Sequence, residues 1–141
     1  MSVNFIFHET NISLGERTRL KHFIEALFRT KRKTLLSITY VFCTDEYLLN
    51  INRQFLQHDY YTDIISFDLG EISGIEGEIY ISTDRIRENA KKLGVSITSE
   101  LHRVIFHGAL HLCGHRDKTA EEKKSMTAAE NRCLKNYFQN K

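Results

Sequence analysis

SITSELHRVIFHGALHLCG, residues 96–114, is the stretch whose reading decides the fold. Ser96 is the kind of residue that caps a helix N-terminus, and Gly114 the kind that most easily takes the left-handed conformation in which a helix ends. Between them Leu101, Val104, Ile105, Phe106, Ala109, Leu110, Leu112 and Cys113 leave almost no polar face in the second half of the helix. A helix apolar around its circumference belongs inside a protein, so other elements must cover it.

The flanking sequence supplies them. Downstream, Thr119-Ala-Glu-Glu122 is a capping box that opens a last helix burying Met126, Ala129, Cys133, Leu134, Tyr137 and Phe138. Upstream, Ser82 or Thr83 caps a helix that ends at Gly94, and before it Ile64 to Asp68 and Glu78 to Ser82 read as two strands, joined by a connection holding Gly70, Gly74 and Gly77. A short helix from about Asp45 to Phe55 contributes Leu48, Leu49 and Ile51, and residues 57–63 form a polar loop. Val3, Phe5 and Phe7 alternate as a first strand; Leu36, Ile38, Tyr40 and Phe42 alternate as a second. Between these two, Ser13-Leu-Gly-Glu16 reads as a capping box for a helix with Leu20, Phe23, Ile24, Leu27 and Phe28 on one face. The order β-α-β-α-β-β-α-α-α predicts an α+β domain, a four-stranded mixed sheet with about five helices packed on it and the helix from Ser96 buried against the sheet.

Residues 1–141 have the size and the 41% apolar content of a single domain with one core, and they contain no proline, repeat or linker. No run reaches the roughly 18 to 20 apolar residues of a membrane span, and the first ten residues lack the features of a signal peptide, so a cytoplasmic protein without membrane association is expected. Cys43, Cys113 and Cys133 are odd in number and widely spaced, which predicts reduced, mostly buried thiols. A formal charge of +2 does not by itself imply nucleic-acid binding; the basic clusters at 29–33 and 85–92 suit solvated helix faces and helix ends.

His107 and His111 lie one turn apart in the buried helix, so their imidazoles project side by side and can reach one cation. Gly114 lets the chain fold back, bringing Asp117 up as third ligand. Two histidines four apart are more often structural, but burial disfavours unpaired imidazoles, and a carboxylate arrives at useful spacing. Two neutral nitrogens and a carboxylate suit one zinc ion and leave a coordination position open, the mark of a catalytic rather than a structural site. His115 competes with Asp117 as ligand and is otherwise the first candidate for proton transfer beside His107 in the catalytic set. The zinc-peptidase helix carries a glutamate directly after its first histidine; here that place is Gly108, which disfavours peptidase chemistry. Thr62, Asp63 and Glu78 read as turn or edge residues, and Ser66 faces the cleft or its opposite with equal chance.

His-Gly-Ala-Leu-His-Leu-Cys-Gly at 107–114 closely resembles the His-Gly-x-Leu-His-Leu-x-Gly signature of the YbeY family of bacterial metal-dependent endoribonucleases. Thr-Asp-Ile-Ile-Ser-Phe at 62–67, Gly-Glu-Ile-Tyr-Ile-Ser at 77–82 and Asn-Arg-Gln-Phe at 52–55 resemble further family segments, so the likeness spans nearly the whole chain. It implies a zinc-dependent endoribonuclease specific for single-stranded RNA. Its implied roles are ribosomal RNA processing, including maturation of the 16S 3′ end, and ribosome quality control, with ribosomal small-subunit proteins as further partners. Two positions depart from the pattern. The family's third ligand is a histidine where this chain has Asp117, with His115 in place of a tyrosine; and a family arginine thought to contact RNA is Leu56 here, leaving Arg53, one turn earlier, as the substitute. The competing readings are a zinc-stabilised, non-catalytic RNA-binding or ribosome-assembly factor, and a zinc hydrolase of peptides or small molecules.

Overall fold

A computed structural model describes residues 2–58, 64–70 and 73–139. In chain order these form β1 (Val3–Phe7), α1 (Arg17–Thr30), β2 (Leu35–Cys43), α2 (Asp45–Leu56), β3 (Ile64–Asp68), β4 (Ile75–Ser82), α3 (Thr83–Leu93), α4 (Ile97–Leu112) and α5 (Ala120–Gln139). The four strands make one mixed sheet in the order β1-β2-β4-β3, with β1, β2 and β4 parallel and β3 antiparallel at the edge. The α+β architecture and the element order agree with the sequence reading.

Alternation divides the sheet's two faces. Ile38, Tyr40 and Phe42 of β2 and Ile79 and Ile81 of β4 point into the main core, where they meet α1, α4 and α5 through Leu20, Ile24, Phe28, Phe106, Leu110 and Tyr137. On the opposite face Cys43, Ile65, Phe67 and Tyr80 form a smaller cluster under Leu48 and Ile51 of α2. Residues of β3 therefore alternate between layers, and Ile64 and Ser66 face α4 while Ile65 and Phe67 face α2. Leu36 is the exception to the predicted pattern: it is 41% exposed. The register slips between Leu35 and Ser37, and this irregularity turns Leu35 toward the core in its place.

The boundary of α1 differs from the sequence expectation. Ser13 caps nothing, and the helix starts at Arg17 with Glu16 in the left-handed region at φ 52° and no side-chain cap. Ile12 and Leu14, on either side of Ser13, are buried in the core, so burial of two apolar side chains holds this segment out of the helix against a local capping signal. The other predicted caps are present: Ser82 and Ser96 accept from Arg85 and Ser99 backbone N–H groups, and Thr119 and Glu122 bond each other's backbone N–H reciprocally. Gly77 lies not in the hairpin connection but inside β4, paired with Ile38 on one side and Asp68 on the other.

Two glycines set how closely α4 lies on the sheet. A Cβ on Gly77 would stand 2.6 Å from Leu112 Cδ1, and one on Gly108 would stand 2.7 Å from Ile79 Cδ1, both closer than real carbons approach. The side chains of Leu112 and Ile79 thus pack directly onto the glycine backbone of the facing element, and the buried Tyr40 hydroxyl donates to the Ile105 carbonyl at 2.9 Å to tie the layers together. The three cysteines are free and buried. Among the described residues no helix is long and apolar enough to cross a membrane.

His102 packs under Tyr137 and Phe138 at the other side of α4, with Nδ1 2.7 Å from the Thr98 carbonyl. Burial pushes this imidazole below its usual pKa, Arg19 adds to the effect, and the hydrogen bond to Thr98 only partly opposes it. A histidine whose folded value is depressed takes up its proton more readily in the unfolded chain, so its contribution is complete above the unfolded value of about 6.5 and declines as pH falls below that toward the lower folded value. Denaturant titrations near pH 7 and near pH 5 should therefore differ less for His102→Gln than for the wild-type chain. An identical pH dependence in both would remove His102 as the cause.

Candidate metal centre

Helix α4 enters its last turns fully packed, and the two residues of its second half that look outward do so together. His107 and His111 are one turn apart, with ring centroids 4.6 Å from each other, and their side chains keep 20% and 29% of their exposure, enough to reach a ligand and too little to be free in solvent. The helix then ends as its sequence predicts. Gly114 sits at φ 103°, its N–H bonds the His111 carbonyl, and the His115 N–H reaches back to Leu110, the paired bonds of a Schellman motif. This reversal carries Asp117 over the imidazoles.

The Asp117 Oδ2 atom lies 3.5 Å from His107 Nε2 and 3.4 Å from His111 Nε2. One donor atom from each of the three residues falls within 4.8 Å of the others. Donors held at about 2.0 to 2.1 Å around a tetrahedral ion stand about 3.3 to 3.5 Å apart, so the spacing of the carboxylate from each imidazole matches that of ligands to a common ion. His115 does not join this group. Its imidazole is held below the usual value first by desolvation and then by the charges of Lys31, Arg132 and His111.

Glu130 is a residue of this site that the sequence reading passed over. It is buried in α5, and its Oε2 lies 2.5 Å from His107 Nδ1, while Oε1 accepts from Arg103 at 2.8 Å. Arg103 reaches on to Asn131 Oδ1 at 2.7 Å. Burial alone would raise the Glu130 carboxyl, but the hydrogen bonds from His107 and Arg103 outweigh it and hold the pKa below the ordinary carboxylate range. An ionised Glu130 requires Nδ1 of His107 to carry the proton, which leaves the Nε2 lone pair turned toward Asp117. A carboxylate behind a ligating imidazole in this way fixes the tautomer and strengthens the donor. The signal was in the sequence: Glu130 stands in the stripe Met126, Ala129, Cys133 and Tyr137, where a charge has no reason to be unless it has a buried partner.

These groups border a cavity of about 460 Å³ between α4, α5 and the edge strand β3. Its walls include Ile64, Ser66, Arg103, His107, Asp117 and Glu130, so Ser66 does face the cleft. Glu78 does not: it accepts from the Tyr80 hydroxyl on the α2 face. Arg53 is exposed in the last turn of α2 and is not among the residues that line this cavity, and Leu56 is 39% exposed at the end of the same helix. Thr62 and Asp63 lie outside the described residues. At Gly108, Ile79 fills the space in which a zinc-peptidase glutamate would begin.

Comparisons with known proteins converge on one family. The family described as Endoribonuclease YbeY matches residues 5–138. An Endoribonuclease YbeY of Cytophaga hutchinsonii is 44% identical over 134 residues, covering 94% of both chains, and one of Bacteroides thetaiotaomicron is 53% identical over 102 residues, covering 72% of this chain and 74% of that one. A solution structure of a Thermotoga maritima protein superposes with a TM-score of 0.62 at 23% identity, covering 98% of this chain and 90% of the other, which shows a common fold.

Proposed function

Because this chain belongs to the YbeY family of endoribonucleases, we propose that it hydrolyses single-stranded RNA at one zinc ion held by His107, His111 and Asp117, and that its substrate is ribosomal RNA. The observation that carries this reading is the set of three donors at ligand spacing beside a cavity wide enough for a phosphodiester. When bound, zinc supplies Lewis acidity toward a phosphoryl oxygen and toward water. The chain's own residues do the rest. Glu130 holds His107 in the tautomer that offers Nε2, and Arg103 keeps Glu130 ionised and in place. Ile64 and Val104 shield one side of the cavity, and Ser66 offers a hydroxyl to a substrate oxygen.

In this proposal His115 works from the margin of the centre. Burial and the neighbouring cations keep its imidazole neutral near pH 7, the form that accepts a proton. Arg53 is the proposed contact to the RNA backbone on the α2 side. Maturation of the 16S 3′ end, ribosome quality control, small-subunit proteins as partners and a cytoplasmic location complete the proposal, on the strength of the family. The peptidase alternative lacks its general base, since Gly108 is closed off by Ile79.

Purified protein incubated with a single-stranded RNA and with the same sequence in a duplex tests the reading. Cleavage of the single strand alone is expected, with loss in chelator and recovery on adding zinc. Equal cleavage of the duplex, or cleavage that persists in metal-free protein, defeats it.

A further inference from the structure

Asp117 is flanked in sequence by Arg116 and Lys118, and these two cations line a second cavity of about 420 Å³ whose other walls are His111 and Asp117 themselves. The two cavities therefore share two of the three donor residues, His111 and Asp117. Arg116 and Lys118 are exposed, and among the described residues neither makes an ion pair with a carboxylate. The carboxylate whose charge interacts with Arg116, Glu122, is occupied as a cap, accepting from the Thr119 backbone N–H at 3.0 Å.

We propose that Arg116 and Lys118 form a phosphate-binding pair that seats the phosphodiester next to the one presented to the metal centre. The inference rests on the RNA reading above and deepens it. Three considerations of charge and shape carry it. Two neutral imidazoles and one carboxylate leave a divalent ion with a single net positive charge, less than an all-imidazole set would leave, and less attraction for an anionic backbone. Two cations on the same turn, lining one cavity with the carboxylate that diminished it, restore that attraction. Their side chains also differ usefully: a guanidinium takes two oxygens of one phosphate in its fork, and an ammonium acts as a mobile point charge. Because the second cavity adjoins the first through His111 and Asp117, a strand with one phosphate at the donors can lay its neighbour between Arg116 and Lys118. A substrate with a single phosphodiester gains nothing from them.

The test is anisotropy of a labelled single-stranded RNA with the full chain in chelator, across a salt titration, so that binding is read without turnover. A single-strand phosphate contact contributes about 0.7 to the slope of log affinity against log salt, so Arg116→Ala/Lys118→Ala, which removes the one contact the pair makes, should flatten the slope by about 0.7, and Arg116→Lys should keep most of it. With zinc restored, the double variant should raise KM for an oligonucleotide on the order of tenfold while kcat stays near wild type, and a dinucleotide should show neither effect. A wild-type slope in the double variant, or a fall in kcat with KM unchanged, overturns the phosphate pair. Failure of the function reading looks different: wild-type protein whose slope depends on these cations but which never cleaves RNA with zinc leaves the pair standing and removes the nuclease.

Discussion

His111→Ala is expected to reduce cleavage of single-stranded RNA on the order of a thousandfold and to leave the purified protein without stoichiometric zinc. The magnitude follows from the role proposed for the ion: charge stabilisation at a phosphoryl centre is worth several kcal/mol, and each 1.4 kcal/mol or so is about tenfold in rate. His111 is the cleaner of the two histidines to change. Among the described residues it donates to no buried carboxylate in the way His107 does, it retains 29% side-chain exposure, and alanine is the better helix former, so α4 should keep its place. Elemental analysis and an RNA cleavage assay read the two effects together, with thermal unfolding as the control for fold. Full activity in a zinc-free His111→Ala protein would show that the ion has no part in the reaction, and undiminished zinc would show that His111 is not a ligand.

Glu130→Ala should weaken metal retention by about 10- to 100-fold without removing a ligand, the usual cost of losing the carboxylate behind a ligating histidine. The same change strands the Nδ1 proton of His107 and takes from Arg103 one of its two partners, and an unsatisfied buried polar group costs about 1 to 3 kcal/mol of stability. Two measurements separate these effects: competition with a chromophoric chelator for metal affinity, and denaturant unfolding of the metal-free protein for stability. Glu130→Gln distinguishes charge from shape, because the amide can still accept from His107 but no longer balances Arg103. If both variants hold zinc as tightly as the wild type, the carboxylate is a structural anchor for Arg103 and nothing more. The sign of the pH dependence follows from the depressed carboxyl: its stabilising contribution is complete above the ordinary unfolded value for glutamate, and is lost as pH falls through the lower folded value.

Much of the architecture was legible because periodicity and local chemistry acted alone. The apolar circumference of α4, the alternation in β1 and β2 and the serine and threonine caps of α3, α4 and α5 are short-range properties, and each element forms where they say. The same holds for the donors: a helix places residues four apart on one face whatever surrounds it, and Gly114 at φ 103° turns the chain back toward them. The errors arose where distant residues outweighed local signals. Ser13 is a good cap in isolation, but Ile12 and Leu14 are claimed by the core. Leu36 continues an alternating pattern that a register slip against β4 interrupts. Gly77 resembles a turn residue, and only the close approach of Leu112 shows why a strand needs it there.

From its amino-acid sequence alone the chain determines which donors it offers and on which helix and turn they stand, because spacing along a helix and the conformational freedom of glycine are local physics. Tertiary structure decided the remainder. It brought Glu130 from a helix 23 residues away onto the back of His107, opened the cleft between α4 and β3 so that Ser66 faces it, and left His115 outside the group of donors. Contacts between elements depend on which surfaces the whole chain buries, and no window of neighbouring residues contains that information.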